Sequence, residues 1–210
     1  MLAKSLVGEQ RVLLENISWQ LFQMLLDAMG ENRANRLTYD RGMLEIMTPL
    51  MPHEHYNRLI EAMIRILAEE LNLNIKSVGS MTCNRQDLAR GIEPDSSYYI
   101  LNEPLMRGKT ELDLSQDPPP DLVLEVDLTS PSLNKMSIYA SLGVPEFWRY
   151  YRSELEIYQL QNEQYIRLAN SPTFANLPLT EIEGFLAQST QIGELAVMRA
   201  FRGWVSCLLY

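Results

Sequence analysis

Leu122-Val123-Leu124-Glu125-Val126 is an apolar run with one carboxylate set inside it, entered through Asp117-Pro118-Pro119-Pro120-Asp121. Unbroken apolar character over the length of a strand reads as a strand covered on both faces, because a strand with one wet face alternates. The three prolines impose a stiff, extended approach and act as punctuation inside a domain. Glu125 then requires an explanation, since an unpaired carboxylate buried in such a strand is costly. A divalent cation is a natural partner: Mg²⁺ prefers carboxylate and carbonyl oxygens and keeps several waters, so two carboxylates on adjacent strands suffice to hold it.

The second carboxylate lies upstream in Gly91-Ile92-Glu93-Pro94-Asp95, where Asp95 opens the strand that begins at Ser96. Downstream, Lys135 stands ten residues beyond Glu125 on the helix expected over 133–142, ended by Gly143, and could present an ammonium near the same point. Further out, Leu59, Ile60, Met63, Ile64, Leu67 and Leu71 recur at spacings of three and four, which predicts a long amphipathic helix over 54–71. Apolar positions from Leu14 to Met29 predict an N-terminal helix over 13–29, packed outside the domain. Strands are expected at 36–40 and 43–47 around Asp40-Arg41-Gly42, at 75–78, 81–84, 98–101 and 147–151, and as a hairpin of 155–160 with 164–168 around Asn162-Glu163. The tail from 179 reads as two short helices capping the sheet. This order gives a mixed α/β sheet with helices on its faces, one domain over 1–210 with an N-terminal helical extension (1–35) and a C-terminal helical accessory segment (179–210).

The chain has 210 residues, 46% hydrophobic, a length and composition that exclude disordered and fibrous classes. No apolar run approaches the roughly 20 residues that span a bilayer. The first residues acquire Glu9 before an apolar segment develops, so no secretory signal is expected and the cytoplasm is the expected compartment. Two cysteines, Cys83 and Cys207, are too few for a disulfide framework and are expected to be buried apolar residues. The net charge of −9 argues against gripping nucleic acid by phosphate neutralisation alone. Local help is needed, and Lys76, Arg85, Arg90, Arg107 and Lys109 slightly outnumber the acids between them, whereas 111–127 holds acids and no Lys or Arg.

Pro-Asp, about thirty residues, Glu-x-x, and a nearby lysine resemble the PD-(D/E)XK nuclease superfamily, with the lysine moved from the strand to the neighbouring helix. Three segments, 91–100, 117–127 and Lys135-Met136-Ser137-Ile138-Tyr139-Ala140-Ser141-Leu142-Gly143-Val144-Pro145-Glu146-Phe147-Trp148-Arg149-Tyr150, together resemble the Uma family of restriction-endonuclease-like proteins of cyanobacterial type. The resemblance, over about 39–160, implies a restriction-endonuclease-like core of αβββαβ type and a metal-dependent nuclease site. The leading expectation is then a nuclease in which Asp95 and Glu125 hold Mg²⁺ or Mn²⁺ and Lys135 is the catalytic cation, acting on nucleic acid, DNA first, with a symmetric homodimer able to align two sites on one duplex. One position departs from the superfamily pattern: two residues after Glu125 stands Asp127 rather than lysine, so Lys135 or another cation must substitute. Asp127 is read either as part of the site or as a cap for the turn into Thr129-Ser130-Pro131.

The resemblance also places Glu54, at the start of the long helix, near the metal; otherwise it is a carboxylate favoured by the helix dipole. The flanking His53 and His55, one residue apart, do not form a helical metal pair. Asp121, nearly a strand's length from Glu125, is expected to close the proline-rich turn. Tyr139, Phe147, Trp148, Tyr150 and Tyr151 are read as packing. Two competing classes remain: a non-catalytic binding or interaction module on a nuclease-like scaffold, favoured by the missing lysine and the net charge, and a metal-dependent hydrolase of another substrate.

Overall fold

The computed structural model describes residues 9–30, 33–174 and 177–209. In chain order the elements are β1 (Glu9–Leu14), α1 (Trp19–Met29), β2 (Arg36–Asp40), β3 (Met43–Pro49), α2 (Met51–Glu70), β4 (Lys76–Ser77), β5 (Cys83–Arg85), β6 (Arg90–Ile92), β7 (Ser96–Tyr99), α3 (Glu103–Met106), β8 (Leu122–Asp127), α4 (Lys135–Leu142), β9 (Glu146–Tyr151), β10 (Glu154–Gln161), β11 (Gln164–Leu168), α5 (Ile182–Ile192) and α6 (Glu194–Leu209). The strands form two sheets, ordered β1-β3-β2-β6-β5 and β11-β10-β9-β8-β7-β4. The architecture is mixed α/β, as the order of apolar patterns predicts.

β8 sits inside the six-stranded sheet, antiparallel to β7 (Ser96 opposite Leu124) and parallel to β9 (Glu125 opposite Arg149). All six of its residues are buried. Because successive side chains of a strand point to opposite faces, Leu122, Leu124 and Val126 go to one side and Val123, Glu125 and Asp127 to the other. The first set packs with Leu59, Ile60, Met63 and Ile64 of α2 and with Leu186 and Phe201 of α5 and α6. On the opposite face, Val123 packs with Ile138, Tyr139 and Leu142 of α4 and with Phe147. Strand parity thus delivers Glu125 and Asp127 to the face that α4 covers. That helix starts at an Asn134 cap accepting from Ser137 N and stops at Gly143, whose φ of 79° is left-handed.

A smaller core of Phe22, Leu37, Tyr39 and Leu44 joins α1 to the five-stranded sheet. Gly91 is required there, since a Cβ at this position would lie 2.8 Å from the Phe22 ring. The hairpin of β10 and β11 turns at Asn162 and Glu163, both at positive φ (49° and 64°).

Three expectations need correction. The N-terminal helix begins at Trp19, not at 13, and the residues before it form β1, paired along β3, so the N-terminal part is not purely helical. Asn16 at φ 59° breaks the chain direction and Ser18 caps α1, accepting from Leu21 N at 3.1 Å. The expected extension also includes residues 1–8 and 31–32, which lie outside the described residues. Second, β6 was not anticipated; Arg90-Gly91-Ile92 is too short and too polar to show strand periodicity. Third, Cys83 is buried but Cys207 is exposed.

Candidate active site

At the Asp127 end of β8 several elements contribute ionic side chains to one buried cluster. Asp95, just ahead of β7, is 3% exposed and accepts a hydrogen bond from Val126 N at 2.8 Å through Oδ2. On β8, Glu125 accepts from Lys135 Nζ (2.5 Å) and from the Tyr139 hydroxyl, both carried by α4. The same ammonium reaches Asp127 Oδ1 at 3.2 Å. Asp127 also accepts from Arg149 Nε of β9 at 2.9 Å and from Arg11 Nη2 of β1 at 3.0 Å. Arg11 further joins Glu45 (2.5 Å) and Glu9 (3.0 Å). Glu9 secures the chain after β8 by accepting from Thr129 N (2.8 Å) and Thr129 Oγ1 (2.5 Å). Glu45 does the same for Ser132 N at 2.7 Å.

His53, at the start of α2, closes the ring. Its Nε2 lies 3.2 Å from Asp95 Oδ2 and 3.8 Å from Glu9 Oε2, with no solvent exposure. Among the described residues Asp95 Oδ1, Glu9 Oε2 and both His53 ring nitrogens are buried without a hydrogen-bond partner of good geometry. Unsatisfied buried polar atoms of this kind are uncommon in folded proteins.

Charge accounting makes the cluster distinctive. Glu9, Glu45, Asp95, Glu125 and Asp127 supply five carboxylates, against three permanent cations, Arg11, Lys135 and Arg149. Two positive charges are missing. Burial pushes the Glu125 carboxyl upward, more than Lys135 draws it down, with Asp95 and Asp127 adding repulsion. The His53 ring is disfavoured as a cation by its burial, yet Asp95 and Glu9 raise it above its ordinary value. Asp95 goes the other way: burial opposes its charge, and His53 and Lys135 overcome that and hold it below the carboxylate range. A proton on Glu125 and one on His53 therefore balance the cluster, and so would one divalent cation.

Asp95, Glu125, Lys135 and Asp127 all meet in this cluster. Glu54 does not: it faces Arg58 one turn on (3.6 Å), and the residue of α2 that turns inward is its neighbour His53. Asp127 does not cap the following turn; its oxygens go to Arg11, Lys135 and Arg149, and Glu9 takes Thr129 N instead. Asp121 does not close the proline-rich turn as expected: its carboxylate accepts from Ile100 N, Asn102 N and Asn102 Nδ2 and so holds the chain that leaves β7. Sequence reasoning missed Glu9, Arg11, Glu45, His53, Tyr139 and Arg149. The available signal was Glu9-x-Arg11, whose spacing puts both side chains on one face of a strand.

Among the described residues no group of three or more His, Cys, Asp or Glu side chains is arranged to hold a metal ion. A site of the Mg²⁺ kind asks for less, one or two carboxylates with water completing the shell. The unpartnered Asp95 oxygen and the missing charge fit such an ion; the ammonium already seated on Glu125 is what it would have to share the site with.

Comparison with known proteins bears on the family and the fold. No curated protein matches the chain. The fold is shared with a solved structure described as "a putative nuclease belonging to DUF820 from Anabaena variabilis ATCC 29413", with a TM-score of 0.55 and 14% identity, covering 90% of this chain and 99% of that one. A family model described as "Uma2: Putative restriction endonuclease" matches residues 19–189, which include Asp95, Glu125, Asp127 and Lys135 and leave Glu9 and Arg11 outside. With most of its length matched, the chain belongs to the Uma2 family.

Proposed function

We propose that the chain is a divalent-metal-dependent endonuclease that hydrolyses phosphodiester bonds of nucleic acid, with Asp95 and Glu125 as metal carboxylates and Lys135 as the cation beside them. The observation that carries this reading is the buried Asp95 oxygen without a partner, in a cluster two positive charges short. A divalent ion held there would polarise a phosphate oxygen and lower the pKa of an attacking water. Lys135 supplies what the superfamily lysine would, from a different element. Asp127, at the position where that lysine would stand, holds the Lys135 ammonium at 3.2 Å and so returns a positive charge to the same place. Arg149 and Arg11 fix Asp127 from its other sides, so Asp127 does not depend on Lys135 alone, and the ammonium can turn from its two carboxylates toward a developing oxyanion. The Tyr139 hydroxyl and Lys135 orient the Glu125 carboxyl.

The test is cleavage of single- and double-stranded DNA and RNA with Mg²⁺ or Mn²⁺. Wild type should cut at least one substrate, and Asp95→Asn and Lys135→Ala should lose that activity. Asp127→Asn should lower kcat with little change in KM, since it acts through Lys135. A Lys135→Ala variant as active as wild type would remove Lys135 from the mechanism.

A second reading is a non-catalytic binding module. It is favoured by the close Lys135–Glu125 contact at 2.5 Å, which already neutralises one proposed ligand. Metal binding by wild type with no cleavage of any substrate would select it.

A further inference from the structure

A groove of about 860 Å³, unused by the ion cluster, runs between α1, the start of β2, the β4–β5 connection and the segment after α3. Its size is that of a site for a small organic ligand, conventionally about 300–1,000 Å³. Its lining includes Arg33, Arg36, Lys76 and Lys109, two of which come from the basic stretch that the sequence sets apart.

The partners of these cations decide what the groove suits. Arg33 is paired with Glu93, which is itself saturated by Leu37 N and Thr82 Oγ1. Lys109 is paired with Asp117. The other two have no carboxylate within ion-pair distance among the described residues. Lys76 Nζ donates to two backbone carbonyls, Met106 O at 2.5 Å and Lys109 O at 2.6 Å, which solvate its charge without cancelling it. Arg36 has a single long contact, to Ala34 O at 3.5 Å. The remaining carboxylates of the lining, Asp27 and Glu111, are solvent-exposed.

Hydrogen bonding points the same way. Three buried N–H donors on groove residues, Gln23 Nε2, Arg33 Nε and Arg36 Nε, have no acceptor among the described residues. Donors shut away without acceptors are costly, and an acceptor-rich anion recovers that cost once the side chains turn toward it. Guanidinium groups match phosphate oxygens through two parallel N–H donors. Met81 and Leu112 add apolar surface to the lining, against which a flat base can pack.

We infer that this groove binds a phosphate-bearing ligand of nucleotide type, with Arg36 and Lys76 as the phosphate residues. The shared chemistry is a phosphate with an attached nucleoside, and it has two sources: a free nucleotide or a phosphodiester of a strand. The inference is independent of the nuclease reading, because it requires neither the metal nor cleavage.

The experiment is calorimetry on the full chain in EDTA, with adenosine, AMP and an unphosphorylated eight-nucleotide oligothymidylate as separate probes. AMP or the oligonucleotide should bind, adenosine should not, and raising the salt should weaken binding. Binding of AMP alone assigns a free phosphomonoester, and binding of the oligonucleotide assigns the strand. Arg36→Gln and Lys76→Gln, each checked for an unchanged circular dichroism spectrum, should each weaken binding about tenfold or more, whereas Glu125→Gln should leave it unchanged. Absence of binding by AMP and oligonucleotide at millimolar concentration overturns the inference. So does binding that survives in the Arg36→Gln, Lys76→Gln double variant, or binding that Glu125→Gln abolishes, which would place the ligand on the ion cluster.

Discussion

Glu125 and Glu146 lie on adjacent parallel strands and are buried to the same degree, 1% and 2% exposed, yet their surroundings differ completely. Glu146 has four neutral donors: Trp148 Nε1 (2.6 Å) and Ser171 Oγ (2.5 Å) on one oxygen, Thr173 N (3.0 Å) and Thr173 Oγ1 (2.6 Å) on the other. Both oxygens are satisfied, and the carboxylate ties the segment after β11 to the sheet. Glu125 shares its ammonium with Asp127 and is pushed by burial and neighbouring carboxylates toward its neutral form. One carboxylate is a finished anchor. The other belongs to a set with too few positive charges and with orphaned oxygens. The number of buried carboxylates is therefore a poor guide to a site, and the donors that answer each oxygen are a better one.

The largest effect should follow from breaking the cluster at its most shared cation. Arg11→Ala leaves Glu9, Glu45 and Asp127 without it and should cost about 3–5 kcal/mol, as removal of one partner of a buried ionic network does. Arg11→Lys should recover little, because a single ammonium cannot reproduce a guanidinium fork spread over three carboxylates. Chemical denaturation at neutral pH measures both. Glu146→Gln comes next, at about 1–3 kcal/mol, since its amide nitrogen would meet donors where an oxygen now accepts. Glu125→Gln should cost about 1 kcal/mol or less in the absence of metal, because the native carboxyl is already pushed toward its neutral form and Lys135 keeps Asp127. A Glu125→Gln loss larger than that of Glu146→Gln would erase the proposed difference between the two carboxylates.

How much of this was legible in the sequence depends on how local the signal is. β8, with its apolar run, betrays itself and betrays Glu125 as out of place; Asp95 follows from Pro94, and Lys135 from the helix after β8. The remaining members come from elements far apart in the chain, and only packing brings them together. β1 was hidden for a more specific reason. It turns Glu9 and Arg11 into the interior and leaves Val12, Leu13 and Leu14 partly exposed (55%, 39% and 37%), the reverse of an ordinary amphipathic strand, so its leucines read as the beginning of a helix. His53 was set aside because its neighbour His55 suggested a failed metal pair; only the direction of the first turn of α2 separates His53 from Glu54.

The smallest expected effect concerns an exposed contact that fastens α6 to α2. Glu70 accepts from Ser206 Oγ and Arg202 Nη1, which lower its pKa from the ordinary carboxylate value. A depressed folded-state pKa means that this contact stabilises above the unfolded-state pKa and loses its contribution as the pH falls through the folded-state value. Arg202→Ala should therefore lower Tm slightly at pH 7 in low salt, and the difference from wild type should vanish in strong acid and shrink in high salt. A difference that persists at acid pH would assign it to lost packing instead.

The central claim is that the Asp95–Glu125 cluster lacks two positive charges that one divalent ion can supply. The most direct measurement is Tm against Mn²⁺ concentration for wild type, Asp95→Asn, Glu125→Gln and Glu146→Gln. Ligand that binds only the folded state raises Tm by mass action. Wild type and Glu146→Gln should rise with Mn²⁺ in parallel from their different starting points, whereas Asp95→Asn and Glu125→Gln should stay flat. A wild type indifferent to Mn²⁺, or a response that persists in both Asp95→Asn and Glu125→Gln, would contradict the claim.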